Sequence, residues 1–252
     1  MMSRLILLTL FTSIAILPSA AQDKKKPTPK SEPRVIFSVP LAASPAKTTK
    51  LTLRGINLDD AKEVRADQGS VKLLNKGKAG VPDKNPEKVG DTQVEIELKL
   101  DAKFSGAAVS LIVVTPAGET KPFRVLVETK LPVIAEKEGN DGFRAAQAIA
   151  LPIVIDGTIG RQKDVDVFGI TGTKGQKLIA EVLASRLGSP LDAILTLYDA
   201  QGQQVASNDD FDKEHRDAKV EITLPADGVY YLSLIDAHDT GSNLHVYRFV
   251  VR

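Results

Sequence analysis

KVEITLPADGVYYLSLI, residues 219–235, is the stretch that decides the fold class. Val220, Ile222 and Leu224 alternate with Lys219, Glu221 and Thr223, and Tyr230, Leu232 and Leu234 alternate with Tyr231, Ser233 and Ile235. Successive side chains of a strand point to opposite faces, so a period of two with one apolar face is a half-buried strand. The Ala226-Asp227-Gly228 link between the two runs is turn chemistry for a hairpin. Alternation continues through the C-terminal half. One helical candidate interrupts it, residues 143–150, where Ala145, Ala146 and Ala148 have helical propensity and Pro152 blocks extension. Seven or eight strands of this kind predict a sandwich or jelly roll rather than an α/β enzyme.

The preceding hundred residues are written in the same pattern. Val94, Ile96, Leu98 and Leu100 alternate with Gln93, Glu95, Glu97 and Lys99; Val109, Leu111 and Val113, then Phe123, Val125 and Val127, repeat the rule, with a turn at Thr115-Pro116-Ala117-Gly118. Several short strands with turns between them predict an immunoglobulin-like sandwich. Residues 75–90, rich in Lys, Gly and Pro, read as a long loop. The expected fold is therefore all-β, two tandem β-sandwiches over residues 34–128 and 129–252.

Ahead of them, Arg4 followed by an apolar run across residues 5–17 and the small residues Ser19, Ala20 and Ala21 has the layout of a secretory signal peptide, residues 1–21. The run is shorter than the roughly 20 residues that span a bilayer. Residues 22–33, Lys- and Pro-rich, read as a disordered linker. A secreted product, periplasmic, at the cell surface or extracellular, is the expectation. With no cysteine in the chain, disulfide staples, thiol catalysis and cysteine zinc sites are excluded.

Beyond the signal, 32 basic side chains balance 32 acidic ones, which leaves no electrostatic footprint for nucleic acid. The second half is acidic, with 12 Lys and Arg against 18 Asp and Glu in residues 131–252, a balance that suits a cation as well as plain solvation. There is no G-x-S-x-G elbow and no H-E-x-x-H pair, and His215, His238 and His245 lack zinc-ligand spacing. No enzyme is predicted. Asn208-Asp209-Asp210-Phe211-Asp212 fails as an EF-hand, because Lys213 and Lys219 stand where Gly and Glu are required.

Motifs in a fixed order carry a family resemblance: Glu136-Lys137-Glu138-Gly139-Asn140-Asp141, Asp164-Val165-Asp166-Val167-Phe168, residues 191–199 running to Gly202, Ser207-Asn208-Asp209-Asp210, Gly228-Val229-Tyr230-Tyr231-Leu232, and the closing Tyr247-Arg248-Phe249-Val250-Val251. Residues 136–252 thereby resemble the bacterial pre-peptidase C-terminal domain, including the collagen-binding modules of collagenases. More weakly, Leu51-Thr52-Leu53-Arg54-Gly55-Ile56-Asn57-Leu58 resembles the IPT/TIG immunoglobulin-like domains. The first resemblance implies calcium ligands at Glu136, Glu138, Asn140, Asp141, Asp164 and Asp166, and these hard oxygens suit Ca2+. In an extended chain Glu136, Glu138 and Asn140 stand about 6.6 Å apart in succession, so one shared ion requires a curved segment. Solvated turn carboxylates are the competing reading. Of the tyrosines that the resemblance points to as ligand contacts, Tyr231 is the one that alternation turns outward; one such residue predicts no collagen affinity. The implied protein is a calcium-braced, non-enzymatic binding module with an extracellular or envelope protein or polysaccharide as partner. A metal-free envelope scaffold, or an accessory acting in trans on an exported protease, is the alternative.

Overall fold

The computed structural model describes residues 32–82, 84–212 and 216–252. The signal peptide and nearly all of the linker expected at the N-terminus lie outside them. No helix among the described residues is long and apolar enough to cross a membrane.

Two β-sandwiches follow one another. In the first, β1 (Arg34–Val39), β3 (Thr48–Ile56), β5 (Ser70–Lys78) and β6 (Thr92–Lys99) form one sheet in the order β1-β3-β6-β5. Opposite lie β2 (Ala42–Ala43), β4 (Glu63–Ala66), β7 (Ala108–Thr115) and β9 (Phe123–Val127) in the order β2-β9-β7-β4, with β8 (Gly118–Glu119) paired to β7. The apolar rows read from the sequence meet between the sheets: Leu51, Leu53, Val94, Ile96, Leu98, Val109, Leu111, Val113 and Val125 are all buried there. The expected loop over residues 75–90 is shorter than its composition suggests. A bulge between Leu73 and Asn75 lets β5 keep pairing with β6 as far as Lys78, and Pro86–Val89 closes one helical turn, α1. Lysine and glycine can occupy an edge strand because only one side of its backbone must pair.

The second sandwich has β10 (Val133–Ala135), β12 (Ile153–Thr158), β14 (Lys177–Leu183), β17 (Lys219–Thr223) and β19 (Val246–Val251) in the order β10-β12-β19-β14-β17. Its other sheet runs β11-β13-β18-β15-β16, from β11 (Gln147–Ala148), β13 (Asp166–Gly172), β15 (Ala193–Asp199), β16 (Gln204–Asn208) and β18 (Gly228–Asp236). Phe168, Leu195, Leu197, Leu232, Leu234 and Phe249 fill the space between. The helix considered at residues 143–150 is a single 3-10 turn, Phe143–Ala145, after which the chain extends into β11. Pairing of β11 with β13 captures the backbone that a longer helix would have used.

The sandwiches pack on each other through Phe37, Leu41 and Val89 from the first and Leu244 and Val246 from the second. Gly188, at φ +89°, lies against β1 so closely that a Cβ would stand 2.5 Å from the Ile36 carbonyl oxygen. Arg248, buried in β19, donates to both carboxylate oxygens of Asp156 at 3.0 and 3.2 Å, and its other terminal nitrogen is 3.9 Å from Glu128 at the junction.

Candidate cation site

The segment 136–141 bridges the two sheets of the second sandwich. On one side β10 runs parallel to β12, and the Glu136 N–H donates to the Asp156 carbonyl at 3.0 Å. On the other, the Asn140 carbonyl accepts the Val167 N–H of β13 at 3.0 Å. Gln147 fixes the curve between them, accepting from the Lys137 N–H and donating to the Ala135 carbonyl. The curvature that a shared ion would require is thus built into the backbone, with Gly139 at φ +91° supplying a left-handed step.

This path lays the acidic side chains against the Asp164–Asp166 strand in two pairs. Glu136 and Asp166 are hydrogen-bonded to each other. Glu136 also accepts the Thr158 N–H at 3.1 Å, and Asp166 accepts the Tyr247 hydroxyl at 2.7 Å. Glu138 and Asp164 both approach Gly160, where a Cβ would lie 3.3 Å from Glu138 Oε1 and 3.6 Å from Asp164 Oδ2. Asp164 Oδ2 accepts the Gly160 N–H at 2.7 Å. Its Oδ1 is buried without a hydrogen bond, facing the Arg161 guanidinium at 3.1 Å.

Asn140, Asp164 and Asp166 are each at most 2% exposed. Of the six expected ligands, Asp141 alone turns away, to an exposed ion pair with Arg161 at 2.8 Å. Among the described residues no three His, Cys, Asp or Glu side chains converge into a ready-made metal cage; the carboxylates gather pairwise.

The electrostatics follow from the burial. Desolvation, then the neighbouring Glu136 charge, pushes Asp166 up to about 9 from the usual 3.8. Desolvation also raises Glu136, against the hydrogen bond from Asp166 that lowers it. Tyr247 rises well above the usual phenol range through burial and the Asp166 charge. The pair therefore holds a shared proton at neutral pH, because two carboxylates this close and this dry resist ionising together. A cation is the other way to neutralise them. With its nitrogen facing inward, the Asn140 amide donates to the Lys137 carbonyl at 3.2 Å and to Glu136 Oε1 at 3.3 Å. With its oxygen facing inward, it would add one more hard donor to the cluster. Clustered buried carboxylates in an all-oxygen donor set fit calcium chemistry.

Sequence reasoning missed three contributors to this site. Tyr247 stood in the closing motif, with no role assigned at the acids, yet its hydroxyl is the neutral partner of Asp166. Gly157 sits under that ring, where a Cβ would stand 2.3 Å from the phenol; a glycine inside a strand was the available signal for close approach. Arg161 carried no pattern at all, although it faces both Asp141 and Asp164.

Comparison with known proteins bears on the second sandwich. Residues 164–235 match the family model of the bacterial pre-peptidase C-terminal domain. The match takes in Asp164 and Asp166 and leaves residues 136–141 outside it. A probable subtilase-type serine protease of Deinococcus radiodurans is 41% identical over 76 residues, 30% of this chain and 10% of the protease. The chain thus spans about a tenth of the length of the curated relative it matches. Among solved structures, the pre-peptidase C-terminal domain of the Bacillus anthracis collagenase aligns at 16% identity and TM-score 0.33, over 49% of this chain and 100% of that one. PliG of Aeromonas hydrophila, a periplasmic inhibitor of g-type lysozyme, aligns at 15% identity and TM-score 0.32, over 48% of this chain and 96% of its own. By its motifs and by the match over residues 164–235, the second sandwich carries a bacterial pre-peptidase C-terminal domain.

Proposed function

We propose that this chain is an exported, non-catalytic binding module whose second sandwich is braced by calcium, and whose partner is a protein or polysaccharide at the cell surface or beyond it. The observation that carries the calcium reading is the buried Glu136–Asp166 pair, with Asp164 buried in the same cluster. Glu136, Glu138, Asn140, Asp164 and Asp166 would hold the ion, with Asp141 at the rim. When bound, calcium supplies the positive charge that offsets these clustered carboxylates. The chain's own part is to present them. β10 and the Asn140 carbonyl tie segment 136–141 to opposite sheets, so drawing its carboxylates toward Asp164 and Asp166 tightens both. Tyr247 and the Thr158 N–H keep Asp166 and Glu136 aimed at each other. The family match to an accessory domain supports the non-catalytic part of the reading.

The test is thermal unfolding in calcium and in chelator. The melting temperature should rise with calcium in the natural chain and stay flat in Asp164→Ala; equal melting temperatures in the natural chain would sink the calcium brace. The likeness to a segment of a subtilase-type protease favours a second reading, an accessory that engages an exported protease in trans. Co-purification with such a protease would distinguish it.

A further inference from the structure

The two outer faces of the second sandwich differ in kind. On the β10–β17 face, Lys177, Glu181, Lys219 and Glu221 project outward and form ion pairs. The outward positions of β13, β15, β16 and β18 carry no charged side chain. At their centre is an aromatic cluster. Tyr231 and Tyr198 are register neighbours on β18 and β15. Phe143, delivered by the 3-10 turn, stacks on Tyr231 with ring centroids 4.6 Å apart and planes 12° apart, and tilts against Tyr198 at 5.2 Å. Glycines flank it: Gly169 pairs with Tyr231, and a Cβ on Gly202 would stand 3.3 Å from the Phe143 ring. Phe143 remains 37% exposed and Val229, nearby on β18, 42%.

Beyond the rings Ser233 and Ser207 present hydroxyls, with Thr196 between them in register but buried, its Oγ1 bonded to Ser207 Oγ at 2.9 Å. The backbone beneath is consumed by ladder bonds, since Tyr231 pairs with Gly169 on one side and Tyr198 on the other. At the centre of the sheet no strand can be added, and recognition over the rings must use ring faces and hydroxyl groups. An uncharged partner that presents C–H faces for stacking and hydroxyls along its edges is complementary to that surface. A polyanion gains nothing from it, and over the aromatic cluster an extended peptide finds no free backbone to pair with.

We infer that Phe143, Tyr231 and Tyr198 form a platform for a neutral polysaccharide. This deepens the binding-module reading by naming the partner class, and it does not depend on calcium. The experiment is retention of the full chain on cellulose, chitin and starch, with polygalacturonate and gelatin as contrasts, in calcium and in chelator. Retention on at least one neutral polysaccharide is expected, at least tenfold weaker in Phe143→Ala and in Tyr198→Ala. Phe143→Tyr should bind as the natural chain does, and each variant's melting temperature reports whether it folds. Undiminished binding by a folded Phe143→Ala chain would overturn the platform and leave a binding module with its site elsewhere. Retention on gelatin alone would overturn the polysaccharide and point to a polypeptide partner. Retention on none of the materials would also overturn it, while the calcium brace is decided separately by melting temperature.

Discussion

Replacing Asp166 by Asn should stabilise the calcium-free protein at neutral pH, although it removes a fully buried carboxylate from the cation site. The side chain is 0% exposed, and its carboxyl is pushed up to about 9 from 3.8, chiefly by burial and then by Glu136. A folded-state value above the unfolded one means that the stability drawn from this proton is complete below pH about 4. It is then lost progressively as pH rises toward about 9. At pH 7 the span of roughly three units, at about 1.4 kcal/mol each, makes about 4 kcal/mol an upper bound, since Glu136 shares the proton. Asn takes up no proton on folding. Its amide can donate to Glu136 as the protonated acid does, and its carbonyl can accept the Tyr247 hydroxyl. The assay is urea unfolding in chelator, followed by the tyrosine signal, which tryptophan does not mask because the chain has none. The stability of Asp166→Asn relative to the natural chain should climb by at most about 4 kcal/mol between pH 4 and pH 7. A difference that stays constant with pH, or falls, would refute the protonated-pair argument.

Two further predictions concern the frame that holds the site. Gly188→Ala places a Cβ against the Ile36 carbonyl in a left-handed backbone, a penalty of roughly 1–2 kcal/mol from the backbone and about 1–3 from the clash. Limited proteolysis at the 128–132 junction should accelerate, and an unchanged cleavage rate would contradict the packed interface. Asp217, fully buried, accepts the N–H groups of Ala184 and Ser185 at 3.1 and 2.6 Å and Arg186 Nε at 2.7 Å. Asp217→Asn turns an amide toward those donors and should lower stability by about 2–3 kcal/mol in the same urea assay; a loss under about 0.5 kcal/mol would mean that the loop repacks without it.

How much of this was legible in the sequence follows from the range of the interactions. Alternation is local, so the rows around Val94–Leu98 and Val220–Ile235 announced both sandwiches, but the turn at Asp227-Gly228 does not close the hairpin its chemistry suggests: it carries the chain from β17 in one sheet to β18 in the other, where each strand pairs with different partners. The outward placement of Tyr231 and the inward placement of Tyr230 followed from the same rule. The site was legible as a list of oxygens but not as an arrangement. Glu136 meets Asp166 only because β10 and β13 belong to different sheets spanned by one short segment, a non-local fact. Tyr247 reaches Asp166 across 81 positions, through space that Gly157 leaves open. Asp141 looked equivalent to its neighbours until Arg161 claimed it. The contacts of Phe37 and Leu41 with Leu244 and Val246 join the sandwiches from opposite ends of the chain, and no short-range pattern records them. At residues 75–90, composition misled because pairing to β6 outweighs the weak strand preference of Lys and Gly.

Under the proposed calcium brace, the buried acids of the second sandwich trade their shared proton for calcium. The direct measurement is calorimetric titration of calcium into chelator-stripped chain, repeated in two buffers of different ionisation enthalpy at pH 7, with Asp164→Ala as control. Saturable binding, proton release on binding, affinity that strengthens as pH rises toward about 9, and loss of all three in the variant are the predicted results. Absence of binding heat in both buffers, or binding that Asp164→Ala leaves intact, would contradict the account.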